Sequence, residues 1–512
     1  MKNKKLWLFE YLIFLGICFL LFKFLSPMFF ALTIRGDSIC MQYDYLITPI
    51  ALFSKSDHCW FIMSFFWSAI VRLLPEMLQI HPQVWFSDYC PWFLFGIFYL
   101  FQLSIVFNFT KYFKNNKYFL LWLFITVPLL IGIANRTESL WMLSDDCWFM
   151  AYYFLPIFSI LFFSLLEKNY VKNGSIYPPP PKFNFLFLSN IFLFIGVAFS
   201  HEYSRFILCS SLFIGYILHF LLINKNLNHL KNIIIYAVIV ILNSFTFFLQ
   251  TYHSWIGERL YKVTEIQENI TFFLSGYYKY FFSENYVLLF LIIFLLILSF
   301  SFLKNSAERK KITIFCLSTL ISILLFPLLT MVGHEGSNPC FIHTGIRFLT
   351  KLYLYNLFLS LLGWFVSSCK INSIKIYTTL SCFLILLIQV LPIKLDILTI
   401  QRNHQIRTRI YILERIFNLY GHNHKELLYC YDINEMIPCT TLAYFLYIYD
   451  FNFHTNYKIE NYKTIDFCSI DEDYESCNKK LIKFLKDKTG YELTEEEIMK
   501  QDFQKYYLPT YQ

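Results

Sequence analysis

Residues 285–303 read NYVLLFLIIFLLILSFSFL, nineteen positions without a charge. Nothing in that run alternates as a half-buried strand would, and it is long enough to cross the hydrocarbon core, which needs about 20 mostly apolar residues. Residues 376–393 repeat the pattern. Working outward from these two, eleven such stretches emerge, at roughly 7–32, 90–110, 118–135, 147–166, 183–200, 204–223, 233–251, 285–303, 312–332, 347–368 and 376–394. The composition agrees: 57% of the 512 residues are hydrophobic, 21% are aromatic and only 15% are charged. A soluble chain carries about 25% charge, so much of this apolar surface must face lipid. These figures exclude a soluble enzyme, a disordered scaffold and a fibrous repeat. The net charge of +8 calls for no nucleic-acid partner, because basic residues gather in cytoplasmic loops of membrane proteins.

Orientation follows from those basic residues. With the N-terminus inside, the short cytoplasmic segments hold Lys2, Lys4 and Lys5, then Lys111, Lys114 and Lys117, Lys168, Lys172 and Lys182, Lys225 and Lys231, Lys304 to Lys311, and Lys370 and Lys375. The opposite side has longer loops and fewer basic residues. The reading is therefore an all-α polytopic membrane bundle over 1–395, whose first outside loop is 33–89. A small extracytoplasmic α/β domain follows over 396–512. The stretches 61–74 and 251–284 are expected to lie along the interface. In the tail, Asn403–Leu419, Asn478–Lys488 and Thr494–Tyr506 are expected helices, the last opened by a Thr494/Glu497 capping pair, and Leu427–Tyr431 is an expected strand. Of the 14 cysteines, those in the tail and the first outside loop are disulfide candidates if that side is oxidising. No C-x-x-C pair points to zinc.

Charged residues near membrane depth are costly and usually functional, and here acids and histidines concentrate on one side. The first outside loop carries Arg35-Gly36-Asp37-Ser38, Asp44 and Asp57-His58. The second carries Glu138 and Ser144-Asp145-Asp146. The third is the tight turn His201-Glu202-Tyr203-Ser204-Arg205. The fifth carries Gly333-His334-Glu335-Gly336, His343 and Arg347, with Lys351 one turn on. Taken singly, each reads as a helix cap, turn chemistry or a snorkelling side chain. Together they form an asymmetry that solvated loops do not explain. Glycosyl transfer from a lipid phosphate needs such a set: a carboxylate to take the acceptor's proton and cationic groups to hold the departing phosphate.

This layout resembles the GT-C superfamily of integral-membrane glycosyltransferases, across the whole chain in organisation and at a handful of residues in motif. The resemblance puts Asp37 or Asp44 where that family has its catalytic acid in the first loop. It puts Asp145 or Asp146 where a second acid sits, orienting the acceptor or holding a divalent cation such as Mg2+ or Mn2+. His201-Glu202 and Arg347 are similar to features of uncharacterised bacterial members. The resemblance implies a polyprenyl-phosphate sugar donor, a glycan or lipid acceptor on the outer face, and a bacterial inner membrane. In that scheme His201, Glu202, His334, Glu335 and His343 line the sugar site, while Arg205, Arg347 and Lys351 bind the lipid phosphate. Two departures stand out: Asp37 is followed by Ser38 rather than a second acid, and Trp-Trp-Asp is absent, so transfer to asparagine is not indicated. A flippase or transporter of lipid-linked sugars is the alternative, opposed by span interiors such as 285–303 that carry no charge. An O-antigen-type polymerase or ligase is a third reading, opposed by the early acids and the soluble tail.

Overall fold

The computed structural model describes residues 9, 12–20, 70, 74–113, 153–173, 202–223, 266–303, 305–330, 344–390, 397–421, 426–429, 463–466, 468 and 472–506. Within these the chain is mostly helical. The main helices are α1 (Cys90–Thr110), α2 (Leu155–Asn173), α3 (Glu202–Leu222), α4 (Ile266–Phe302), α5 (Ser306–Thr330), α6 (Thr344–Ser368), α7 (Asn372–Val390) and α8 (Ile397–Ile416). Three segments are long and apolar enough to cross a membrane: Trp85–Thr110, Phe281–Phe302 and Arg347–Ser368. The expected spans at 118–135, 183–200 and 233–251 lie outside the described residues, as does most of 7–32.

Burial separates the core helix from the peripheral one. In α6, 94% of the most apolar window is buried inside the protein, against 33% for Phe281–Phe302. On α4 the exposed positions Tyr286, Phe290, Ile293, Ile297 and Phe300 recur every three or four residues and so form one stripe. Leu288, Leu291, Ile292 and Leu295 face inward. An outward stripe of large apolar groups beside a packed inner face suits contact with another apolar surface, lipid or protein.

The helix contacts fix direction. Tyr153, one turn before α2, packs on Phe98 and Phe101 of α1 and on Phe348 near the start of α6. Farther along, Glu167 of α2 meets Lys111, just past α1, and Ser360 of α6. These three helices are therefore parallel. Tyr170 of α2 meets His219 of α3 at 2.9 Å and Ser204 at the start of α3 lies beside Tyr353 of α6, which gives α3 the same direction; Lys351 of α6 lies 3.6 Å from Glu284 of α4. By contrast, Lys311, at the start of α5, donates to the Val171 carbonyl at the end of α2. Close approach of apolar helices relies on small residues where they meet. Gly215 of α3 sits against Ser318 of α5, where a Cβ would be 3.4 Å from the Ser318 Oγ. The buried Ser318, Thr319 and Ser322 hydroxyls bond back to carbonyls of their own helix.

Three expectations are corrected. The span expected at 147–166 is a helix over Leu155–Asn173, so Glu167, Lys168 and Lys172 belong to it rather than to a loop. Lys111 is buried, not a loop cation, because Glu167 supplies the countercharge that lets it leave water. Residues 266–284 continue into α4 as one 37-residue helix instead of lying apart along an interface. At 1.5 Å per residue that helix is about 55 Å long, well beyond the hydrocarbon thickness.

Most of the tail's expected elements are present, but the helix expected over Thr494–Tyr506 stops at Lys500, where Gln501 takes φ +41°, and only a 3-10 turn at Gln504–Tyr506 follows. α8 is followed by strands β1 (Glu426–Tyr429) and β2 (Lys463–Asp466), which pair in parallel with Glu426 opposite Lys463. Then come α9 (Tyr474–Thr489) and α10 (Glu495–Lys500). Asp473 caps α9 by accepting from the Ser476 amide at 2.7 Å, and Gly490 ends it with φ +69°, the left-handed region that glycine enters at no steric cost. The Thr494/Glu497 capping box opens α10. Cys468, just past β2, is disulfide-bonded to Cys477 in the first turn of α9. α9 packs on α8 through Tyr474, Cys477, Leu481 and Leu485, with Arg409 lying 4.3 Å over the Tyr474 ring.

Candidate functional site

Two polar assemblies stand out, one at each end of the parallel helices. The first is where the tail meets the end of the first long loop. There the His81 amide donates to Gln504 Oε1 at 2.8 Å, and Gln504 Nε2 donates to the Gln79 carbonyl. The His81 ring lies 3.2 Å from Glu414 Oε2 and stacks on Phe503. Arg407 reaches Ser87 Oγ at 3.3 Å across the same ring. His81, Phe503 and Glu414 are all buried, so the tail is docked on residues 79–87 rather than tethered through α8 alone.

Within the tail, Arg415 Nη2 donates to Tyr491 Oη and Glu497 Oε1, and the Tyr491 hydroxyl donates to the same Glu497 oxygen. That hydroxyl, helped by the Thr494 amide and Arg415, pulls the Glu497 carboxyl down to about 2 from an ordinary 4.5. A folded-state pKa below the unfolded value favours folding above pH 4.5, and the benefit fades as pH falls toward 2. Titrating the full chain in detergent from pH 5 to pH 2 should therefore loosen the Tyr491 environment, read by near-UV circular dichroism. Glu497→Gln should flatten that dependence; an unchanged profile in the variant would assign the loosening to other carboxyls.

The sequence-predicted residues distribute unevenly. Asp37, Asp44, Asp145, Asp146, His201, His334, Glu335 and His343 lie outside the described residues. Glu202 and Arg205 fall at the start of α3. Arg347 and Lys351 lie one turn apart near the start of α6, at the same end of the bundle as the docked tail, and Lys351 pairs with the half-buried Glu284. Among the described residues no group of three His, Cys, Asp or Glu could hold a metal ion.

The second assembly lies at the opposite end and contains none of the site residues that the sequence pattern singles out. Lys111 and Glu167 form an ion pair at 2.5 Å, with side chains 0% and 2% exposed. Glu167 Oε1 also accepts from Tyr112 Oη at 2.8 Å and from Ser360 Oγ. Lys111 donates in addition to Asn108 Oδ1 at 2.8 Å, an oxygen shared with Ser164 Oγ. Asn108 Nδ2 donates to the Asn356 carbonyl at 2.7 Å, and Asn356 donates to Leu352. The carboxylate's two oxygens thus accept three donors, which is what a charge so deeply buried requires. Behind the pair lies a cavity lined by Asn108, Ser164, Glu167, Tyr353 and Asn356 among others, with room for about one water molecule. In the sequence these residues look like two span ends flanked by loop lysines. The available signal was the helical spacing: Asn108 to Lys111 and Ser164 to Glu167 each put an amide or hydroxyl one turn before a charge. No family model, curated protein or solved structure matches the chain.

Proposed function

We propose that the chain is an integral-membrane glycosyltransferase using a polyprenyl-phosphate sugar at the outer face of a bacterial inner membrane, with its 396–512 segment an extracytoplasmic α/β domain. The observation carrying this reading is the docked tail. Its contacts to residues 79–87 bring polar tail residues to the end of the bundle where α1, α2, α3 and α6 begin. The acid- and histidine-bearing segments 33–89, 135–146, 200–205 and 333–347 lead into those same helix starts. The tail disulfide supports an oxidising compartment on that side, in agreement with the distribution of lysine and arginine. In this reading Asp37 or Asp44 is the general base, Asp145 and Asp146 orient the acceptor or hold Mg2+ or Mn2+, and Arg347 and Lys351 attract the donor phosphate.

The test is release of free lipid phosphate from a panel of radiolabelled polyprenyl-phosphate sugars by protein in nanodiscs. Asp37→Asn, Asp44→Asn or Asp145→Asn should lower turnover at least about 100-fold in a folded protein. Absence of turnover with every donor, or turnover indifferent to all three changes, would sink this reading. A flippase or transporter is the second reading, favoured by the buried Lys111–Glu167 pair, since ionisable groups between spans mark transport paths. Passage of a labelled donor across the bilayer without hydrolysis would select it.

A further inference from the structure

We propose that Lys111 and Glu167 form a latch that closes the end of the bundle opposite the tail, and that its opening admits water to the polar seam behind it. The inference goes beyond both readings of function and depends on neither.

Four observations carry it. First, a buried ion pair generally stabilises no better than apolar packing of the same volume, so its presence asks for a role other than stability. Second, both Lys111 and Tyr112, two of the donors to Glu167, lie in the turn that follows α1 rather than inside a helix. Swinging both away breaks only the terminal bond of Lys111 N–H to the Phe107 carbonyl and that of Phe113 N–H to Thr110, and leaves the helix interior intact. Third, the space immediately behind the pair is a cavity with polar groups on its wall, Asn108, Ser164, Tyr353 and Asn356. Above it the Tyr353 hydroxyl faces those of Ser159 and Ser204. Water entering past an opened pair would find partners along this seam instead of hydrocarbon. Fourth, α1 and α6 touch backbone to backbone just beside the pair, at Gly363 and Phe109. That contact is a fixed point about which the 111–113 turn can move.

A native cysteine reports on opening. Cys316 of α5 is fully buried, and its neighbour Phe315 packs on Phe163 of the cavity wall with ring centroids 4.6 Å apart. Cys18 and Cys382 are equally buried but lie elsewhere. The experiment follows N-ethylmaleimide modification of each cysteine with time, by peptide mass spectrometry on the full-length protein in nanodiscs. In the unmodified chain Cys316 should react about tenfold faster than Cys382, the signature of a local opening. Glu167→Gln should raise the Cys316 rate further while leaving Cys18 and Cys382 unchanged. The double change Lys111→Met with Glu167→Met should bring Cys316 down to the Cys382 rate, because the apolar pair seals the end.

A static tie predicts otherwise: equal rates at Cys316 and Cys382 in the unmodified chain, and no slowing in the double variant. Either result overturns the latch. If Glu167→Gln speeds all three cysteines together, the bundle has loosened as a whole. Ser360→Ala, which removes one donor from Glu167, then decides: a rise at Cys316 alone upholds the latch and no rise overturns it.

Discussion

Glu167→Gln should destabilise the chain by about 3–5 kcal/mol, measured as loss of helical signal against denaturant in mixed micelles. The magnitude comes from what the substitution strands rather than from what it removes. Lys111 is fully buried, and its ammonium would keep only Asn108 Oδ1 as an acceptor. An amide oxygen in the place of Oε1 would keep Tyr112 and Ser360, but the NH2 in the place of Oε2 would then face the Lys111 ammonium, donor against donor. Lys111→Met should cost a similar amount by leaving a carboxylate with hydroxyl partners and no countercharge. The double change to methionine should recover most of the loss, because neither charge is then buried alone. A double-mutant cycle isolates this coupling. If the two single losses simply add in the double variant, the pair is not the unit inferred from the geometry. The cycle also separates energy from motion: the latch predicts altered Cys316 accessibility even where the double variant matches the unmodified chain in stability.

What could be read from the sequence and what could not divide on physical lines. Local signals transferred well. The Thr494/Glu497 pair announced α10 and is a capping box, and the apolar runs at 90–110 and 347–368 became the helices Cys90–Thr110 and Thr344–Ser368. These depend on residues close together along the chain. The Lys111–Glu167 pair could not be read this way, because its partners lie 56 positions apart and each looked like an ordinary span end. Hydropathy marks both α6 and α4 as apolar; packing shows that one is enclosed and the other faces outward. The end of α2 is hidden from the sequence for a related reason. A hydropathy reading stops at the first charge, whereas a helix continues through a charge that finds a partner, as Glu167 does. The candidate acids at 37, 44, 145 and 146 lie outside the described residues, so the glycosyltransferase reading stands on the transfer assay.

The same enclosure of α6 makes Gly363 the least tolerant of added volume among the described glycines. A Cβ built there would lie 2.1 Å from the Phe109 carbonyl oxygen and 3.1 Å from its carbon. The obstacle is backbone, so no rotamer change relieves it, and α1 and α6 would have to separate. Separation would propagate directly. Phe109 is one residue from Asn108 and two from Lys111, and Gly363 is three from Ser360, so moving the helices apart stretches Asn108–Asn356 and Ser360–Glu167 together. Gly363→Ala should therefore cost at least about 1–3 kcal/mol, the usual penalty for overpacking, and Gly363→Val more. Gly96, on the same helix α1 with nothing within 4 Å of its built Cβ, supplies the control. Gly96→Ala should be neutral or mildly stabilising, since alanine favours helix over glycine by about 1 kcal/mol. Equal tolerance at the two positions would mean that α1 and α6 do not meet backbone to backbone. A loss at Gly363 alone, accompanied by faster Cys316 modification, would tie that contact to the closure of the Lys111–Glu167 end.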